Sequence, residues 1–218
     1  MLLESLTMEL VEAIRTRRSV KHFDPDYKLT EEEFYFLFSH SFLAPSSFNM
    51  QNWHVVIVDD KGEQEKLCKA SWNQSQVKDC SATLIMAGNL KGFESVERFT
   101  RKAPLEVQEM FRGMVPGFYK ANDSLQRDEA VRSVSLLSQN VMLVAKEMGL
   151  DTCPMIGFDP QEVCKIVQLP EDYIPVMMIT LGRAKEPAKP RMGLFDLEEV
   201  VSRNTFGNNW LNGSIEDS

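Results

Sequence analysis

Ala44-Pro45-Ser46-Ser47-Phe48-Asn49-Met50-Gln51-Asn52-Trp53-His54-Val55-Val56-Ile57-Val58 is the stretch on which the fold turns. Its second half, His54 to Val58, is a strand signal: a β-branched apolar run stopped by Asp59-Asp60. Its first half is a polar loop that gathers two hydroxyls and three amides between a helix and that strand. Such a loop can offer donors and acceptors to a flat heteroaromatic ligand, with Pro45 bracing one face. Turns and helix caps use the same residues everywhere, so the loop by itself does not decide function.

Working outward, Thr30-Glu31-Glu32-Glu33 is a capping-box pattern that opens the preceding helix, with Phe34, Phe38 and Phe42 repeating every four residues. Residues 7–16 read as an earlier helix with Leu10, Val11 and Ile14 on one face. In the other direction, Glu63 to Ala70 reads as a short helix. Ala82 to Ala87 reads as a strand apolar enough to be buried on both faces. Residues 91–126 read as polar, aromatic-dotted and helical, with Pro104 in a first turn. A long helix is expected over 127–148, stopped by Gly149 and burying Val134, Leu137, Val141, Val144 and Ala145. Asp159-Pro160-Gln161-Glu162 caps a short helix ending at Val167, and Tyr173 to Leu181 reads as a third strand, ended by Gly182. Helices and strands are mixed, with no repeat and no linker, so one α+β or α/β domain on a small central sheet is expected. The tail, residues 183–218, is expected to be an arm that packs on a partner subunit.

The 218 residues carry a formal charge of -8, which argues against a nucleic-acid partner. Four cysteines without a C-x-x-C pair, and three histidines, give no zinc-like spacing, so no metal is expected. Glu4, Glu9 and Glu12 interrupt any signal-peptide core, and no apolar run reaches the ~18 residues of a membrane span. A cytoplasmic protein with reduced thiols, away from the membrane, is the expectation. Rossmann, P-loop and G-x-S-x-G signatures are absent, so a phosphorylated cofactor would have to be held by other means.

Three further segments could supply those means. Arg17-Arg18-Ser19-Val20-Lys21 places two guanidiniums, a hydroxyl and an ammonium within five residues, a phosphate-binding set or simply cations at a helix C-terminus. Cys153-Pro154-Met155-Ile156-Gly157-Phe158 carries a glycine at which backbone can approach a ring, or is simply a helix-to-helix connection. Lys189-Pro190-Arg191 holds two cations apart on a stiff proline, or is a solvated tail pair. Each is weak alone; their order and spacing make a pattern.

That pattern resembles the FMN-dependent nitroreductase family, which includes oxygen-insensitive NAD(P)H nitroreductases and flavin reductases. An R-x-S-x-[RK]-x-F block is matched by Arg17, Ser19, Lys21 and Phe23. A P-S-S-x-N-x-Q-x-W loop is matched by Pro45, Ser46, Ser47, Asn49, Gln51 and Trp53. A P-[IM]-x-G-F block is matched from Pro154 to Phe158, and a C-terminal K-x-R by Lys189 and Arg191. The likeness spans roughly residues 8–203.

The resemblance implies an α+β three-layer sandwich: a mostly antiparallel central sheet flanked by helices, one domain over 1–218, in an intertwined homodimer with FMN at the interface. It implies that Arg17, Lys189 and Arg191 hold the FMN phosphate, with Arg18 beside them. Ser19 and Lys21 would meet the pyrimidine edge and ribityl chain, Lys21 tuning the redox potential. Pro45, Ser46, Ser47, Asn49 and Gln51 would come from the other subunit. Asn73 would bond the flavin ring, and the backbone of Ile156 and Gly157 would approach N5. Relatives often carry Glu in place of Ile156 and, in some, Lys in place of Gln76, which puts substrate range in question. The implied reaction is ping-pong: NAD(P)H delivers hydride to FMN, and a small aromatic acceptor, a nitroaromatic or a quinone, takes two electrons. No catalytic side chain is demanded. A flavin-binding module without turnover, a same-fold dehydrogenase or dehalogenase, and a plain interaction dimer remain as alternatives.

Overall fold

The computed structural model describes residues 8–210 of the chain. They fall into two compact units, 8–188 and 189–210. In chain order the first unit contains α1 (Leu10–Thr16), α2 (Glu31–Ser41), β1 (Trp53–Val58), α3 (Lys61–Ala70), α4 (Gln76–Asp79), β2 (Ala82–Asn89) and α5 (Val96–Thr100). It continues with α6 (Leu105–Tyr119), α7 (Asp123–Glu147), β3 (Asp151–Met155), α8 (Pro160–Ile166) and β4 (Tyr173–Gly182). The second unit holds α9 (Leu197–Val200), which closes with its own capping box between Asp196 and Glu199.

The sheet runs β1-β2-β4-β3 and every pairing is antiparallel. Because side chains alternate along a strand, β2 feeds two cores. Leu84 and Met86, with Ile179 and Leu181 of β4, pack against Phe34 and Leu37 of α2 and Val134, Leu137 and Val141 of α7. Ile85, with Met178 of β4, packs against Leu67 of α3, Val77 of α4 and Val163 of α8. Helices thus lie on both faces, which makes the three layers the sequence implies. The fold is α+β.

The local signals hold where they rest on backbone chemistry. Thr30 and Glu33 form the reciprocal capping box of α2. The Asp159 carboxylate accepts from the amides of Gln161 and Glu162. α7 ends in a Schellman turn: Gly149 at φ +75° donates to Lys146 and Leu150 donates to Ala145, closing carbonyls that the helix leaves open.

Four readings need correction. The sheet has four strands, because Asp151–Met155, read as a connection, pairs with β4 at an edge of the sheet, where Pro154 is tolerated. Pro104 is the N-cap of α6, one residue outside the helix, and Val144 is only half buried. Leu10, Val11 and Ile14 of α1 face outward in the single chain, while Ala13 alone faces the core; residue 7, the expected start of α1, lies outside the described residues. Among the described residues no helix is long and apolar enough to cross a membrane, and no group of metal-ligating side chains is assembled.

Tyr27 ties the start of α2 to the end of β4. Its hydroxyl donates to Glu33 Oε1 at 2.6 Å, the Arg183 guanidinium sits 4.1 Å from its ring centre, and Ser81 Oγ donates to its carbonyl. Burial, the hydrogen bond to Glu33 and the charge of Glu33 push the phenol from 10.0 up to about 12. The folded chain therefore holds this proton more tightly than the unfolded chain, and the contribution is complete below pH 10. Stability measured by denaturant unfolding is expected to fall as pH rises from 10 to about 12, and Tyr27→Phe should flatten that slope.

Candidate flavin-binding site

The Arg17–Lys21 segment leaves α1 and runs along the outer edge of β3. Ser19 bridges Thr152 in parallel sense, and the Val20 amide donates to the Thr152 carbonyl at 3.1 Å. Val20 is buried, so Ser19 and Lys21 point to solvent while Arg17 and Arg18 are half buried.

Beyond β3 the chain meets the turn after α3. Trp72 and Asn73 both adopt left-handed backbone, at φ +53° and +59°, and the Asn73 amide donates to the Cys68 carbonyl. Gln74 Nε2 donates to the Gly157 carbonyl at 2.9 Å, and Gln76 Nε2 donates to Gln74 Oε1 at 3.0 Å. Gly157 sits tightly against Trp72 and Gln74: a Cβ there would lie 3.1 Å from the Trp72 ring and 3.1 Å from the Gln74 amide, so either side chain would have to give. Gln76 is buried beneath this pair and reaches the Met155 sulfur, so it acts on the site as a brace and does not face a ligand. Ile156 is 82% exposed, beside an exposed Trp72.

The Pro45–Asn52 loop is built separately. Phe48, Asn49 and Gln51 are left-handed at φ 52°, 57° and 46°. Outside glycine such conformations cost about 1–3 kcal/mol each and persist only when the surroundings enforce them. Here Ser46 Oγ accepts from the Gln51 amide, the Ser47 amide donates to Glu129 of α7 at 3.3 Å, and Ser47 shares a 2.9 Å hydrogen bond with Tyr119 of α6. The Phe48 ring is held edge-on by Phe111, Phe118 and Tyr119. Burial pushes the Tyr119 phenol up, against the pull of the Ser47 hydrogen bond, so it stays protonated in its role. Tyr119 and Glu129 are the two supports that the sequence did not reveal, since nothing local marks residues that meet the loop across 72 and 82 positions.

Seven described non-glycine residues have positive φ, and five of them are in these two loops. Strain is thus concentrated where ligand contacts are expected. The Pro45 loop and the Ser19 segment do not meet in one chain. Trp53, which ends the Pro45 loop, pairs with Gly88, whereas Ser19 is level with Thr152, Leu181 and Ala82. Six residues of β2 and four strand spacings separate Trp53 from Ser19, about 20 Å along the strands and about 19 Å across. Lys189 and Arg191 lie exposed in the second unit. Cys68, Cys80 and Cys164 are not set up as nucleophiles by their surroundings: burial pushes Cys80 up to about 11 and Cys68 and Cys164 in the same direction, away from thiolate.

Comparison with known proteins decides the family. The model of the Nitroreductase family matches residues 14–183. The chain belongs to the nitroreductase family.

Among its relatives, protein DrgA of Synechocystis sp. is 42% identical over 182 residues, covering 83% of this chain and 87% of that protein. A Bacillus subtilis protein named "Putative NAD(P)H nitroreductase MhqN" is 34% identical, covering 84% of this chain and 93% of its own. A crystal structure from Exiguobacterium sibiricum in complex with FMN superposes with a TM-score of 0.81 at 28% identity, covering 90% of this chain and 98% of that one. The four-stranded sheet with helices on both faces is therefore a nitroreductase fold, and the two strained loops are features of a nitroreductase chain.

Inserting a methyl group into the Gly157–Trp72 contact is expected to cost about 1–3 kcal/mol, as overpacking does. The loss on Gly157→Ala should shrink in a Trp72→Ala background, by a coupling of about 0.5–3 kcal/mol in a double-mutant cycle followed by denaturant unfolding. Additive losses would show that the two residues do not share this contact.

Proposed function

We propose that this chain is an FMN-dependent NAD(P)H oxidoreductase that works as a cytoplasmic homodimer and reduces flat, electron-poor acceptors such as nitroaromatics and quinones. The observation that carries the reading is the division of its flavin-type residues between opposite edges of one sheet, the Pro45 loop at β1 and Ser19 with Gly157 at β3. A single ring cannot touch both, so a second chain has to bring its own Pro45–Gln51 loop to the first chain's β3 edge.

The residues present fit the cofactor. Ser19 and Lys21 offer a donor and a cation along the β3 edge, and Ile156–Gly157 offers backbone at a point where Trp72 already lies against it. Two-electron redox chemistry is what FMN supplies when bound, so no protein acid, base or nucleophile has to be found. Arg17 anchors the phosphate, and charge-assisted hydrogen bonds of this kind contribute about 1.5–3 kcal/mol each. For Arg18, Lys189 and Arg191 the same role rests on the family resemblance. Lys21 places positive charge at the pyrimidine edge, which favours added electrons. Asn73, held left-handed, directs its amide outward to the ring. Pro45, Ser46, Ser47, Asn49 and Gln51 come from the partner as one rigid loop, and Ile156 with Trp72 gives an apolar wall where an acceptor can stack.

Exposed apolar surface supports the dimer. Leu10, Val11 and Ile14 on α1, and separately Met192, Leu194, Phe195 and Phe206 in the second unit, are all solvent-facing in the single chain. Exposed apolar groups of this kind mark interfaces, and we assign residues 183–210 as an arm covering a partner, within a single domain; the last part of the expected arm, 211–218, lies outside the described residues. The four free thiols suit a reducing compartment.

Absorption spectra of freshly purified protein should show a flavin band that bleaches on anaerobic addition of NADPH or NADH and returns with menadione or a nitroaromatic. Arg17→Ala and Asn49→Ala chains, each inactive alone, should recover part of the activity when co-expressed, because one site of the mixed dimer is then intact. A flavin that refuses to bleach would mark a binding module, and absence of any recovery would place both residues in one chain's site.

A further inference from the structure

A cavity of about 340 Å³ opens beside the Pro45 loop, lined by Asn49, Met50, Gln51, Arg98, Phe99, Arg101 and Lys102. We infer that it binds an oxyanion, a phosphate monoester or a carboxylate, carried by one of the two substrates that exchange electrons with the flavin. The inference rests on the flavin reading above and adds to it the chemical class of a substrate.

Position comes first. Arg98, Arg101 and Lys102 follow the spacing i, i+3, i+4 through α5 and the turn after it, which sets them on one side. The element is fixed from behind: Val96 and Phe99 are buried with Met50, Phe93, Val115 and Tyr119, and Thr100 Oγ1 closes on the Val96 carbonyl. Asn49 Nδ2 donates to the Phe99 carbonyl at 3.4 Å, tying the flavin loop directly to the cationic segment. An anion in the cavity therefore lies next to the loop that the partner's ring is proposed to meet.

Charge comes second. The chain is acidic, at -8, yet three cations meet here without an acid to answer them. None of the ion pairs among the described residues includes Arg98, Arg101 or Lys102. The neighbouring Glu97 is engaged by Arg112 at 2.9 Å. Like charges at this spacing repel, and a helix of five residues gives its C-terminus little dipole for three cations to complement. A concave site lined by one sign of charge focuses field and recruits the opposite sign. Two guanidiniums add the forked geometry that matches phosphate and carboxylate oxygens.

The flavin's own phosphate is not the occupant, since Arg17 lies at the other end of the sheet and, in a dimer, that end meets the partner's loop only through the ring. What remains is a substituent on a molecule stacked over the ring: the 2′-phosphate of NADPH, or a carboxylate on an aromatic acceptor.

The test compares the parent with an Arg98→Gln/Arg101→Gln/Lys102→Gln variant, whose three exposed side chains support no fold contact, and with Arg101→Lys as a charge-retaining control. The first arm measures KM for NADPH and NADH with menadione as acceptor; the second measures KM for 4-nitrobenzoate and nitrobenzene with NADH. Alongside, calorimetric titration with 2′-AMP against adenosine, and with benzoate against benzamide, reads binding without turnover. The expected result is a rise in KM of about tenfold or more for one anionic member, its neutral counterpart and kcat staying within about twofold, with the matching titration weakened. Loss confined to NADPH and 2′-AMP identifies the donor as the source; loss confined to 4-nitrobenzoate and benzoate identifies the acceptor. Equal shifts within each pair, or none, overturn the inference. Because the titrations need no electron transfer, a protein that binds 2′-AMP or benzoate through these cations but does not bleach with NADPH would overturn the oxidoreductase reading and leave the anion site standing.

Discussion

β2 has no solvent-facing side, and the rest of the chain is arranged around that fact. Leu84 and Met86 need one apolar layer and Ile85 another, so α7 with α2 must cover one face and α3, α4 and α8 the other. Burying both faces of one strand commits the chain to three layers. It also fixes the length of the sheet, and with it the distance between what stands at its two ends. Each fully buried aliphatic side chain contributes about 1.5–3 kcal/mol, so moving either loop by shifting the register would turn these residues out of their layers.

The candidate site inherits this rigidity. Its two strained loops stand at opposite edges of the sheet and are braced from the layers behind: Glu129 and Tyr119 under Ser47, Gln74 and Gln76 under Gly157. Left-handed backbone at Phe48, Asn49, Gln51, Trp72 and Asn73 is affordable because packing and hydrogen bonds outside the loops enforce it. The Arg98–Lys102 segment belongs to the same construction, fastened to the Pro45 loop through Asn49 and to the core through Phe99.

Much of the architecture could be read from local chemistry. The capping box at Thr30, the Asp159 cap and the Gly149 stop depend on residues within one turn of each other, so their signals lie in adjacent letters. β2 announced itself by an unbroken apolar run. β3 did not, because five residues that include Asp151 and Pro154 carry no strand pattern; only β4 on one side and Ser19 on the other make them a strand. Likewise the outward face of α1 has the same apolar spacing as a buried one, and spacing cannot tell a core from an interface.

The sequence by itself determined the caps that open α2 and α8 and the stop of α7, the buried strand, the order of the four motif blocks and, through them, the family. Those properties are set by residues near one another in the chain or by their fixed order along it. Only the tertiary structure decided what the motif residues touch: that Gly157 lies against Trp72, that Gln76 is a brace, that Tyr119 and Glu129 hold the Pro45 loop, and that this loop stands across the sheet from Ser19. These are consequences of pairing and packing between segments tens of residues apart, and no local pattern encodes which distant side chain will arrive.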